Sequence, residues 1–257
     1  MPYEYAHNPI IEAVFEFAPM NAQLPALAAE DLARTLAPNF GGQRDTVGSG
    51  GGIEIEATPQ GQRARALPMG PARHRMWSPD RARLVQFGLD MFVFNALPPY
   101  THYSAYLPQI REAFDAYRAA ARPTTVAYLG QRYINRITLP SPDVLPRSIF
   151  RVYPEIHEAG EHLRHPQFYL QVQAEEIQRG QVVLSLMYQG PDEERRPTYL
   201  LDLYARSVDA PGIEFTWERV AAWHERAHVA ISRTFEFALT RDGYNILGRR
   251  ELPSEDG

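Results

Sequence analysis

The sequence contains no cysteine. Disulfides, a thiol nucleophile and thiolate metal sites are therefore excluded. Lysine is absent too, so all 26 basic residues are arginines, set against 31 acidic ones for a net charge of −5. That balance argues against a general phosphate-binding surface, and a nucleic-acid partner is not expected. No run reaches the ~18 apolar residues that a membrane helix requires. The start, MPYEYAHNPIIEAVFEF, lacks the basic opening and unbroken apolar centre of a signal peptide. A cytoplasmic protein without membrane contact is the expectation. The glycine-rich stretch Gly41 to Gly52 holds no GK[ST], so it reads as a flexible loop and not a phosphate loop. No cofactor is expected.

What is present is an ordinary apolar fraction of 44% in 257 residues, enough for a sizeable core. One stretch organises the rest, Tyr128 to Pro140, reading YLGQRYINRITLP. Its β-branched and aromatic content predicts a long strand. Alternation puts Leu129, Gln131, Tyr133, Asn135, Ile137 and Leu139 on one face. Tyr128, Gly130, Arg132, Ile134, Arg136 and Thr138 take the other. Neither face is cleanly apolar, as suits a central strand with polar partners on both sides.

Before it, Ile10 to Phe17 reads as a strand and Leu24 to Leu36 as a modest helix. Ile53 to Ala57 and Arg63 to Leu67 flank a hairpin turn. Arg73 to Trp77 and a long strand from Ala82 to Phe94 follow. Tyr106, Ile110, Ala113, Phe114 and Tyr117 form the buried stripe of a helix over Ala105 to Ala120, with Pro108 in its first turn. After it come a short helix beyond Ser141-Pro142-Asp143 and a surface loop, Glu155 to Gln167. Strands over Phe168 to Glu176, Val182 to Tyr188 and Thr198 to Arg206 precede a helix over Thr216 to Leu239.

This order repeats, predicting an α+β chain of two related β-α-β(n)-α halves, 1–127 and 128–246, in one continuous domain, with 247–257 a loose tail. Leu89-Asp90-Met91-Phe92 and Leu201-Asp202-Leu203-Tyr204 share a pattern at an offset of 112 (202 − 90). Each is placed on the last strand before a long helix. A largely antiparallel sheet covered on one face by long helices follows, and it resembles the TATA-binding-protein or helix-grip shape. The likeness concerns shape and carries no function. The first strands of the halves are expected side by side and antiparallel, with Glu12 opposite Arg136, Glu16 opposite Arg132 and Val14 against Ile134. That register makes an ion-pair seam.

The segments NPIIEAVFEF and RYINRI resemble those of an uncharacterised, sporadically distributed prokaryotic family of similar length. AHVAISRTFEFALT is similar to that family's last helix, with His228 and Phe235 in matching positions. The resemblance implies no catalytic residue, cofactor or substrate. It does imply a mobile or defence-associated gene context.

The one motif with a chemical name is HExxH at His224, Glu225 and His228. Two histidines four apart on a helix hold zinc, and the glutamate serves as general base. No third histidine follows at the next turns, and packing explains the same spacing. His157, His162 and His165, near Glu158 and Glu161, read as a solvated loop. Asp90 and Asp202 are a candidate carboxylate pair for acid–base work, or caps of local backbone groups. Arg132, Tyr133, Asn135 and Arg136 are candidate binding residues. Gln131, Tyr133 and Asn135 either line a ligand cavity or complete a buried network. Tyr100, Tyr103 and Tyr106 form either a partner surface or a packed loop. The function expected is non-enzymatic binding or scaffolding with a protein partner. A zinc-dependent hydrolase and small-ligand binding between sheet and helices are the alternatives.

Overall fold

The organising strand is the longest among the described residues. In the computed structural model it spans Thr125–Thr138 (β9), and its two sides meet different environments. Leu129, Gln131, Tyr133, Asn135 and Ile137 are buried, whereas Arg132, Ile134 and Thr138 are half-buried and Arg136 is exposed. The structure describes residues 3–48, 53–58, 61–66, 72–153, 169–208 and 212–251, with only the backbone at 3, 4, 48, 53–58, 61–66, 72, 169 and 251.

Ahead of β9 lie β1 (Tyr3–Tyr5), β2 (Ile10–Met20), α1 (Ala26–Phe40), β3 (Gln43–Gly48), β4 (Ile53–Thr58), β5 (Gly61–Ala66), β6 (Ala72–Trp77), β7 (Arg83–Phe87), β8 (Phe92–Ala96) and α2 (Tyr103–Ala121). After it come α3 (Pro146–Ile149), β10 (Tyr169–Ile177), β11 (Gly180–Pro191), β12 (Pro197–Ser207), α4 (Trp217–Ala238), α5 (Arg241–Ile246) and β13 (Arg249–Glu251). Nine strands form one antiparallel sheet in the order β10-β11-β12-β9-β2-β8-β7-β6-β3. Strands β2 and β9 therefore meet at its centre, each flanked by the last strand before a long helix. Helix α4 crosses β9 to β12, α2 lies over β8, and α1 over β6 and β7. The core fills the space between, built on Phe15, Phe17, Phe92, Phe94, Phe114 and Trp223. The α+β class and the large antiparallel sheet agree with the sequence reading.

The register at the centre does not. Glu12 lies opposite Ile134, Val14 opposite Arg132 and Glu16 opposite Gly130, two residues away from the expected pairing. The expected seam of Glu12 with Arg136 and Glu16 with Arg132 is thus replaced by other contacts. A β-bulge between Ile10 and Glu12 takes up a residue. Arg132 turns to the other neighbour, β12, where Asp202 offers both carboxylate oxygens at 2.5 and 2.8 Å. A two-residue shift keeps every side chain on its own face, and cross-strand charge pairs contribute only ~0.2–1 kcal/mol, so charge matching alone does not select the register.

Local boundaries also differ. The expected strand Ala82 to Phe94 is a hairpin, β7 and β8, closed by a turn in which the Gly88 N–H donates to the Met91 carbonyl at 2.9 Å. Asp90 therefore sits in a turn while Asp202 lies within β12, so the two are not a symmetric carboxylate pair. The glycine-rich loop contains β3, a sheet edge held by the bidentate Arg75–Asp45 pair at 2.7 and 2.8 Å. Helix α2 begins two residues early, which places Pro108 in its second turn. The loose tail contains β13, which pairs with β1. The loop Glu155 to Gln167, with His157, His162 and His165, lies outside the described residues.

Candidate functional site

Two clusters of polar side chains flank β9, one on each face. On the side away from the helices, Gly130 faces Glu16 across the central strand pair. A Cβ at position 130 would collide with Glu16 Oε2 and would stand 3.1 Å from the Tyr204 hydroxyl. Its absence lets that carboxylate lie over the strand, where it accepts from the Tyr204 hydroxyl at 2.6 Å. The Tyr204 O–H is used in the hydrogen bond to Glu16, so the bond between the two tyrosine hydroxyls runs from Tyr128 to Tyr204. Burial pushes the Tyr128 hydroxyl up to about 12. Burial and the bond to Glu16 raise Tyr204 as well, so both phenols stay neutral.

Next to this chain the Arg132 guanidinium, clamped by Asp202, lies 5.8 Å from the centre of the Tyr204 ring. Its hydrogen bond to Asp202 holds Arg132 more firmly protonated. On the adjoining strands Gln86 donates to Asn95 at 3.1 Å and Asn95 to Glu12 at 2.7 Å. At the margins Arg136 and Arg206 are exposed. The face thus presents tyrosine rings and guanidinium groups held in place by their neighbours. Glu16 and Asp202 are both engaged, so the arrangement favours recognition over proton transfer.

On the helix side β9 meets the HExxH helix. His224 is 3% exposed, and its Nδ1 lies 3.2 Å from Gln131 Oε1. That oxygen only accepts, so His224 carries its proton on Nδ1. Gln131 Nε2 donates to the Tyr133 hydroxyl at 3.0 Å, which lies 3.2 Å from His228 Nδ1 and 3.5 Å from the Tyr100 hydroxyl. Tyr103 stacks on His228 at 4.3 Å. Burial lowers His224 to about 3 and His228 to about 4, so both are neutral at pH 7.

One nitrogen of each imidazole is taken by this network, and Glu225 is exposed. A catalytic zinc needs three protein ligands, and no such group of His, Asp and Glu occurs among the described residues. Asn135 donates to the Leu201 carbonyl at 3.0 Å and to the Tyr133 carbonyl at 3.3 Å, tying it to backbone. Tyr100, Tyr103 and Tyr106 are all buried, which favours the packed arrangement over the partner surface. They close the core over the start of α2. Of the candidate binding residues, Arg132 and Arg136 lie on the face that no helix of the described residues covers, and Tyr133, Asn135, Tyr100 and Tyr103 lie inside.

Sequence reasoning passed over Tyr128, Gly130 and Tyr204. The alternation of β12, which puts Asp202 and Tyr204 on one side, was the available signal. Compared with known proteins, the chain matches no family model and no curated protein. No helix of the described residues is long and apolar enough to cross a membrane.

Proposed function

We propose that the protein is a non-enzymatic binding protein that engages a protein partner through the helix-free face of β9 and β12. The observation that carries this reading is the set Tyr128, Arg132, Arg136, Tyr204 and Arg206 on one side of two adjacent central strands. Tyrosine and arginine dominate binding hot spots. Here three of the five are fixed in advance by Glu16 and Asp202, which lowers the ordering cost of association. The turned-in histidines and exposed Glu225 give the zinc-hydrolase alternative no support. A cavity of about 10 Å³ beside His224 has no room for an organic ligand between sheet and helices.

The central pairing of β2 with β9 favours two related halves in a TATA-binding-protein or helix-grip shape, an extension of the same proposal. The same proposal includes membership of the sporadically distributed prokaryotic family that NPIIEAVFEF and RYINRI resemble. It places the partner among the products of neighbouring genes in a mobile or defence context.

Arg136 and Arg206 are exposed, so reversing both charges leaves the fold intact. Co-purification of tagged protein from its native cells, followed by identification of the bound protein, tests the reading. The Arg136→Glu, Arg206→Glu variant is expected to lose that protein while keeping the wild-type circular dichroism spectrum. Unchanged recovery of the partner, or stoichiometric zinc lost on His228→Ala, overturns it.

A further inference from the structure

Helix α4 turns one face to the sheet, burying Val220, Trp223, Ala227, Ala230 and Ile231, and leaves the other to solvent. Along the solvent side the charges fall into two rows. Arg219, Arg226 and Arg233 recur every seventh residue, just short of two helical turns, and all three are exposed. Glu218 and Glu225 recur at the same interval and are exposed as well. Each glutamate directly precedes an arginine, so the rows stand roughly 100° apart around the helix. Ala222 and Val229 lie exposed between them, and the exposed ring of Phe237 prolongs the arginine row.

On a helix surface, neighbours are residues three and four apart. No residue at those distances from Glu218, Arg219, Glu225 or Arg226 carries the opposite charge. Among the described residues, these four side chains make no ion pair or hydrogen bond with any other element either. Arg233 is held by Glu175 of β10 at 2.5 Å. The rows are thus charged, ordered by the helix and largely unmatched within the chain.

Cations on one side of a small apolar seam and anions on the other make a surface complementary to itself. A two-fold axis parallel to α4 sets two copies of the helix side by side, parallel and at the same height. The rotation exchanges their sides, so the arginine row of one copy faces the glutamate row of the other. Arg219 then stands opposite Glu218 of the second copy and Arg226 opposite Glu225, each only about 1.5 Å apart in height. An antiparallel pair would instead set arginine against arginine, which like-charge repulsion opposes.

We propose that the outer face of α4 is the interface of a homodimer in which the two α4 helices pack in parallel. Such an interface is isologous, the same patch serving both copies. It lies across the sheet from Arg136 and Arg206, so the face of β9 and β12 stays open in the dimer.

Analytical ultracentrifugation of the full chain over a concentration series tests this, at low ionic strength because salt screens exposed charges. The wild type is expected to dimerise as concentration rises. Arg226→Glu and Glu225→Arg each bring like charges together twice in the symmetric pair. Each alone is expected to sediment as a monomer with the wild-type circular dichroism spectrum. An equimolar mixture of the two is expected to dimerise again, because every charge once more faces its opposite. Arg136→Glu, Arg206→Glu alters only the other face and should dimerise as the wild type does. A monomeric wild type, a dimer indifferent to both single changes, or a mixture that stays monomeric would overturn the proposal. So would loss of the dimer in Arg136→Glu, Arg206→Glu.

Discussion

At residue 130 a missing Cβ decides the arrangement of three side chains, Glu16, Tyr204 and Tyr128. Glycine in a strand interior usually weakens it, yet Gly130 sits in the central strand with the Glu16 carboxylate over it. Gly130→Ala is expected to push Glu16 away, break its bond to Tyr204 and destabilise the protein by about 1–3 kcal/mol, as for other overpacking changes. Urea denaturation measures this, and an unchanged midpoint would show that Glu16 moves aside freely. The Arg132–Asp202 pair is a different case. Its side chains are 42% and 19% exposed, so solvent screens it and its share of stability stays within ~1 kcal/mol. Its value lies in fixing the guanidinium.

Among the elements, β13 shows how little a short strand contributes when it lies outside the main sheet. It pairs only with β1, in a two-stranded ribbon, and such ribbons are marginal alone. The ribbon is anchored by Tyr5, which meets Phe235 of α4 edge-on at 5.7 Å. Ending the chain at Gly248 is therefore expected to lower stability by about 1 kcal/mol, the order of one aromatic pair. The main sheet remains intact. Thermal melting followed by circular dichroism checks this, and loss of cooperative unfolding would show that β13 supports the sheet itself. Helix α4 is at the opposite extreme. Val220, Trp223, Ala227, Ala230 and Ile231 are buried along it, and removing that face would open the core.

For the whole molecule the two histidines of α4, His224 buried and His228 half-buried, set an acid limit. Their folded values, about 3 and about 4, lie below the ordinary 6.5. Above pH 6.5 both are neutral in folded and unfolded chains, and their contribution is fully present. Below it the unfolded chain takes up protons that the folded chain refuses, so stability falls as pH drops towards 4. The slope is at most about 1.4 kcal/mol per pH unit for each histidine. Urea midpoints between pH 7 and 4.5 are expected to fall steeply in the wild type. They should fall less steeply in His228→Gln. Equal slopes would mean that His228 is protonated in the folded state.

Much of the fold was legible because periodicity reports which faces are buried. The strand Tyr128 to Pro140, the stripe of α2 and the long last helix follow directly from spacing. The absence of cysteine and lysine likewise bounded the chemistry from composition alone. The pairing register, the hairpin at Gly88 and the strand inside the glycine-rich stretch were not legible. Each depends on a partner distant in sequence, chosen by total burial and backbone pairing over local charge matching. The candidate face shows the same division. The sequence determined that Arg132 and Arg136 share a side of one strand. Only the tertiary structure brought β12 alongside, gave Arg132 to Asp202 and set Glu16 over Gly130, because those contacts join residues 70 and more positions apart.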